Sequence, residues 1–185
     1  MRSPVARCML VMALVLLLAI PAGATTLIRS GLETLAAENA TIVQGKVLEI
    51  HSYWNADHTF IFTDVRFQPT RVMKGDRAQR EIAFTVMGGT VGETTTLIVA
   101  NPDLVPGREY ILFLNREELP AATERVTVRD LAQGAFDVVR GRAISQAVNH
   151  PLLPDAAGIS EPPGGRDGLD VREMAAEIGR IAGDK

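Results

Sequence analysis

Cysteine is almost missing from this chain, and the one copy, Cys8, stands in the first ten residues. A disulfide scaffold is therefore excluded, and so is thiolate chemistry in the body of the protein. Histidine is scarce at three copies, aromatics make up 5% of residues, and tryptophan occurs once. The common catalytic signatures are absent as well: no G-x-S-x-G elbow, no H-E-x-x-H and no glycine-rich phosphate loop ahead of a helix. Basic excess is lacking, since the formal charge is −3. A nucleic-acid binder needs a basic stripe, which this balance does not favour. Beyond the first twenty residues no long apolar run occurs.

What is present at the start reads as an export signal. Arg2 and Arg7 precede an apolar run over residues 9–20, Pro21 breaks it, and Ala22-Gly23-Ala24 gives the small-x-small pattern of a cleavage site. The run is short for a membrane span. Residues 1–24 are thus expected to be removed, leaving about 160 residues that start at Thr25 and carry a formal charge of about −5. Cys8 leaves with the leader, so the expected product is a cysteine-free domain, secreted or periplasmic, standing on packing alone. The Arg, Ala and Gly bias reads as bacterial, which makes the Asn39-Ala40-Thr41 glycosylation sequon a chance occurrence.

The body is patterned for β structure with a helix at each end. Ser30 and Glu33 have the capping-box spacing, and Leu32, Leu35 and Ala36 share one helical face, predicting a short helix to about Asn39. In the next run, Val43, Gly45 and Val47 lie on one parity and Leu48 and Ile50 on the other; a parity switch inside a strand predicts a bulge. Ile61, Val65 and Phe67 alternate until Pro69, and Val72 resumes on the opposite parity, again fitting a bulge or an edge. Ile82, Phe84 and Val86 give a third strand, residues 94–99 a fourth, and the continuous apolar run 110–114 a strand buried on both faces. Val126 and Val128, then Phe136, Val138 and Val139, predict a final hairpin around Gln133-Gly134. The Gly88, Gly89 and Gly92 cluster reads as a turn between strands. Residues 149–168 form a proline- and glycine-rich arm, which is followed by an amphipathic helix over 169–183 capped by Asp170 with Glu173. No internal repeat is visible. The fold expected is mainly β: a small closed OB-type barrel over 25–148, with the short N-terminal helix and the C-terminal helix docked on it.

Three segments in order carry a family resemblance: I-V-x-G-x-V over 42–47, V-M-K-G over 72–75, and V-P-G-R-E-Y-I-L-F-L over 105–114. The order resembles the netrin-module and tissue-inhibitor-of-metalloproteinase superfamily, an OB-fold group, across residues 38–114. The resemblance implies a binding module rather than an enzyme, with a protein partner, a protease among the candidates, contacted by the loop between the first two strands. The inhibitors grip a protease zinc with a disulfide-tethered N-terminal cysteine, for which Thr25-Thr26-Leu27 supplies no counterpart, so that mode of inhibition is not implied.

Chemistry-bearing residues gather in one place. Tyr53, Trp54, Asn55 and His58 are the expected binding residues, since exposed Tyr and Trp bring large area at small entropic cost. The same stretch also reads as a plain polar hairpin tip. His51, Asp57 and His58 offer an alternative, a metal-dependent hydrolase, with ligands facing each other across a hairpin. A structural accessory of an envelope assembly is a third reading. Asp64 and Glu81 are candidate paired carboxylates, and Lys74, Asp76, Asp103 and Glu109 read as turn or surface charge. No cofactor, resident metal, nucleic acid or lasting membrane insertion is expected.

Overall fold

The structure, a computed structural model, describes residues 28–119, 123–150 and 161–183. The expected leader and half of the arm, residues 151–160, fall outside them. Helix α1 (Leu32–Glu38) leads into β1 (Thr41–Trp54), β2 (Ile61–Lys74), β3 (Ile82–Met87), the small pair β4 (Gly89–Val91) and β5 (Thr94–Thr96), and β6 (Glu109–Glu118). Then come β7 (Glu124–Val128), β8 (Ala135–Val139), β9 (Arg142–Ser145), the two-residue β10 (Leu169–Asp170) and α2 (Val171–Gly183). The main sheet runs β10-β9-β8-β6-β1-β2-β3, all antiparallel, with β7 also on β6.

β6 is the spine. Tyr110 faces Gly45 of β1 on one edge and Asp137 of β8 on the other, while Leu114 faces Thr41 and Val128. β7 and β8 therefore follow each other along one edge of β6. The hairpin expected around Gln133-Gly134 does not form, because a 3-10 turn (Leu131–Gly134) occupies that position; the last hairpin is β8–β9. Tyr110, Ile111, Leu112, Phe113 and Leu114 are all buried, as a run without alternation requires. Tyr110 and Leu112 join Val43, Val47, Val65, Phe67, Phe84 and Val128 on the concave side. Ile111 and Phe113 join Ile42 and Phe136 on the convex side, under Leu35, Met174 and Ile178 of the two helices. The last helix thus docks on the domain. Asp170 caps it, one carboxylate oxygen accepting from the backbone N–H of Arg172 (2.8 Å) and Glu173 (3.2 Å).

Bulges bend the long β1–β2 pair. Leu48 has no partner between Val47↔Phe67 and Glu49↔Arg66, and Thr70 and Met73 are the extra residues beside Pro69 and Val72. These are the positions where the apolar parity switches. Gly45 sits at the tightest bend: a Cβ there would overlap the Gln68 carbonyl and come within 2.8 Å of Phe67 and of the Pro69 backbone. The V-P-G-R-E-Y segment anchors the bend from the other side. The Gly107 N–H donates to the Val47 carbonyl (2.8 Å), and the buried Tyr110 hydroxyl accepts from the Val105 N–H (2.9 Å).

The barrel expected from the sequence does not close. Strands β3 and β7 come together around a shared core, yet no ladder joins them among the described residues, and the sheet remains open. Periodicity reports which face is buried, not whether the two end strands meet in hydrogen-bonding register. The expected fourth strand over 94–99 is also shorter, ending at Thr96, and pairs only with β4. Around α1 one further expectation changes, and the chance reading of the sequon stands. Ser30 does not cap the helix: Gly31 takes the N-cap position, and the Ser30 N–H donates to Gln133 instead (2.8 Å). Asn39, the sequon residue, is buried and donates its amide to the Leu35 carbonyl (2.7 Å), a position closed to a glycan. Lys74 reaches across to the Ala36 and Ala37 carbonyls (2.8 and 3.1 Å), placing a cation at the C-terminus of α1.

No helix among the described residues is long and apolar enough to cross a membrane.

Candidate functional site

The far end of the β1–β2 ribbon carries every residue expected to bind. Its geometry follows from Asn55, which is buried at the turn. The Asn55 side-chain oxygen accepts from the backbone N–H of Thr59 (2.8 Å) and Phe60 (3.0 Å), and its amide donates to the Thr59 hydroxyl (3.0 Å). Its own N–H and carbonyl bond the Phe60 carbonyl and the His58 N–H. His58 turns the chain with a left-handed φ of 52°. Asn55 is thus the organiser of the tip rather than part of its outward surface, which corrects its expected role.

The other residues divide between two faces. Successive strand side chains point to opposite sides, and the register pairs Tyr53 with Phe62 and His51 with Asp64, but Trp54 with Ile61 and Ser52 with Thr63. Tyr53 belongs to the convex side. Its ring stacks on His51 (centroids 6.2 Å apart, planes 14° apart) and leans on Phe62, while its hydroxyl donates to Asp64 (3.2 Å). Asp64 also accepts from the Thr85 hydroxyl at 2.7 Å. Partial burial, then the Asp64 charge, raises the Tyr53 phenol above its ordinary value, so it is a hydrogen-bond donor at neutral pH. Trp54 lies on the other side, with the exposed His58 ring 6.1 Å away. Tyr53 and Trp54 are both half-buried. The expected single patch is therefore two aromatic edges of one blade, each carrying a histidine.

This arrangement separates the residues of the metal reading. His51 is opposite Asp64 on the convex side and His58 is at Trp54, and no group of three or more His, Cys, Asp or Glu suited to a metal occurs among the described residues. Asp64 and Glu81 do not pair as carboxylates either. Glu81 binds the Arg66 guanidinium through both oxygens (2.8 and 3.1 Å), and Glu49 takes the remaining edge (2.9 Å). The guanidinium bond keeps the Glu81 carboxyl below its ordinary value.

Beside the convex edge, a groove of about 430 Å³ runs along β2 and β3. His51, Asp64, Arg66 and Thr85 line one side and Arg125 and Val126 of β7 the other. Arg125 was not visible as a site residue, because only the curl of the sheet brings β7 beside β3. A second omission lies after β5, where Leu97 and Val99 are 88% and 79% exposed. Their alternation reads as strand in the sequence, and nothing local says that the ladder stops at Thr96.

No family model matches the chain, and no curated protein matches it significantly.

Proposed function

We propose that the chain is an exported, non-catalytic protein-binding domain that meets an extracellular or envelope protein, a protease among the candidates, with the end of its β1–β2 blade. The observation that carries this reading is the pairing of two half-buried aromatics with a locked turn. Tyr53 and Trp54 flank a tip fixed by Asn55, so their area is offered with little ordering left to lose on association. Rings, imidazoles and a phenol hydroxyl supply contact area and hydrogen-bonding ends, the equipment of recognition rather than turnover. The netrin-module resemblance supports the same loop, since it lies between the first two strands. The charged leader and its small-x-small site support export, and a cysteine-free body suits either side of an envelope.

The test compares the wild-type chain, immobilised, with the Tyr53→Ala/Trp54→Ala double variant, each exposed to an envelope extract of the producing cells. A protein retained by the wild type and lost by the variant, at unchanged circular dichroism, is the expected result. Retention of the same protein by both chains removes the blade tip from the interface.

A further inference from the structure

A second surface lies at the opposite end of the same ribbon. The β2–β3 ladder stops at Phe67↔Ile82, so from Gln68 to Met73 the outer edge of β2 has no strand partner among the described residues. That bare edge faces α2 across a groove of about 480 Å³. Ala175 floors the groove on the helix side, and Gly179 widens it, since a Cβ on Gly179 would meet nothing within 4 Å. Arg71 of the strand and Arg77 of the following turn line it, both exposed and neither in an ion pair with a described residue. The chain is acidic as a whole, yet residues 71–80 carry Arg71, Lys74, Arg77 and Arg80 against one acid, Asp76. Lys74 is already committed to the carbonyls of α1.

We propose that this groove takes a short, extended acidic peptide segment of a partner protein, with carboxylates on Arg71 and Arg77 and its backbone along the bare β2 edge. Arginine forks suit carboxylates in a two-bond geometry, and an unpaired strand edge supplies main-chain donors and acceptors to an added strand. The bulges at Thr70 and Met73, with Pro69 lacking an N–H, break the edge after a few residues. A short segment is accommodated, and open-ended strand addition by further copies is not. The concave shape distinguishes a peptide from a lipid surface, which would meet a flat or convex basic face. The site is independent of the blade tip and stands or falls apart from it.

Fluorescein-labelled hexaglutamate, titrated into the full chain at low ionic strength and followed by anisotropy, tests the proposal. Saturable binding is expected, weakened about tenfold or more by Arg71→Ala/Arg77→Ala. Arg71→Lys/Arg77→Lys is expected to weaken it severalfold, because the charge stays and the fork is lost. Arg116→Ala/Arg140→Ala removes the same charge elsewhere and leaves binding unchanged, as does Tyr53→Ala/Trp54→Ala. Absence of hexaglutamate binding, or equal weakening by the Arg116/Arg140 pair, overturns the proposal. So does arginine-dependent capture by phosphatidylglycerol vesicles without hexaglutamate binding, which assigns the surface to a membrane.

Discussion

Replacing Asn55 by alanine removes the acceptor of two backbone N–H groups and a donor to the Thr59 hydroxyl in one step. Each neutral intramolecular bond contributes about 0.5–1.5 kcal/mol net, and water reaches this tip once it loosens, so the low half of that range applies to each of the three and the loss is about 1.5–3 kcal/mol. For a domain of this length that corresponds to a fall in Tm of about 3–12 °C. Asn55→Asp keeps an acceptor oxygen for Thr59 and Phe60 and loses the amide donor, so it should recover most of the difference at neutral pH. Two readouts separate local from global effects. Circular dichroism on heating gives the stability of the sheet, and the emission of Trp54, the chain's single tryptophan and the neighbour of position 55, reports the tip. Amide exchange at Thr59 and Phe60 should quicken in the alanine variant and stay slow in the aspartate one. An alanine variant with unchanged melting and unchanged exchange at those two amides refutes the idea that the side chain of Asn55 fixes the turn.

Gly45→Ala should cost about 3 kcal/mol or more, because the new methyl meets backbone on the facing strand rather than a movable side-chain end; a soluble variant melting within 2 °C of wild type contradicts the account of the bend. Arg140→Asn should raise stability by about 0.5–1 kcal/mol, read by urea unfolding, since Arg140 and Gly141 both have positive φ in the two-residue β8–β9 turn, where asparagine fits better. A loss of stability would show that the Arg140 side chain has a partner the turn geometry does not reveal. The Asp170 carboxyl is held below its ordinary value near 3.8 by the N–H groups of Arg172 and Glu173. Its contribution is present above that ordinary value and is lost as pH falls through the lower folded one, so Asp170→Asn should flatten the acid limb of the stability curve. An acid limb identical in both chains removes the cap from the explanation.

Much of this architecture is written along the chain. The switch of apolar parity at Val47 and Leu48, and again around Pro69, marks the bulges because alternation is a local property of a pleated strand. The unbroken run 110–114 announces a strand buried on both sides, and Asp170 with Glu173 announces the start of the last helix. The cluster from His51 to His58 is likewise legible as one hairpin end. Its division is legible only in part: alternation sets Tyr53 against Trp54, but the register that gives Tyr53 to Asp64 and places Thr85 beside it depends on which strands pair. Ser30 shows the limit of a local motif, since its capping-box spacing is intact while a glutamine more than a hundred residues away takes its N–H.

Sequence by itself determined the long strands and their bends, the two terminal helices and the place where aromatic and polar side chains collect, because each follows from spacing between near neighbours; the short strands β4, β9 and β10 carry no such signal. Tertiary structure alone decided that, among the described residues, β3 and β7 meet without a ladder, that Arg125 comes to lie beside His51 and Asp64, and that the edge of β2 from Gln68 to Met73 is left bare opposite α2. Those are relations between segments far apart in the chain. They are set by how a bent sheet fills its own concave side and covers its convex side, a balance of packing that no stretch of residues carries alone.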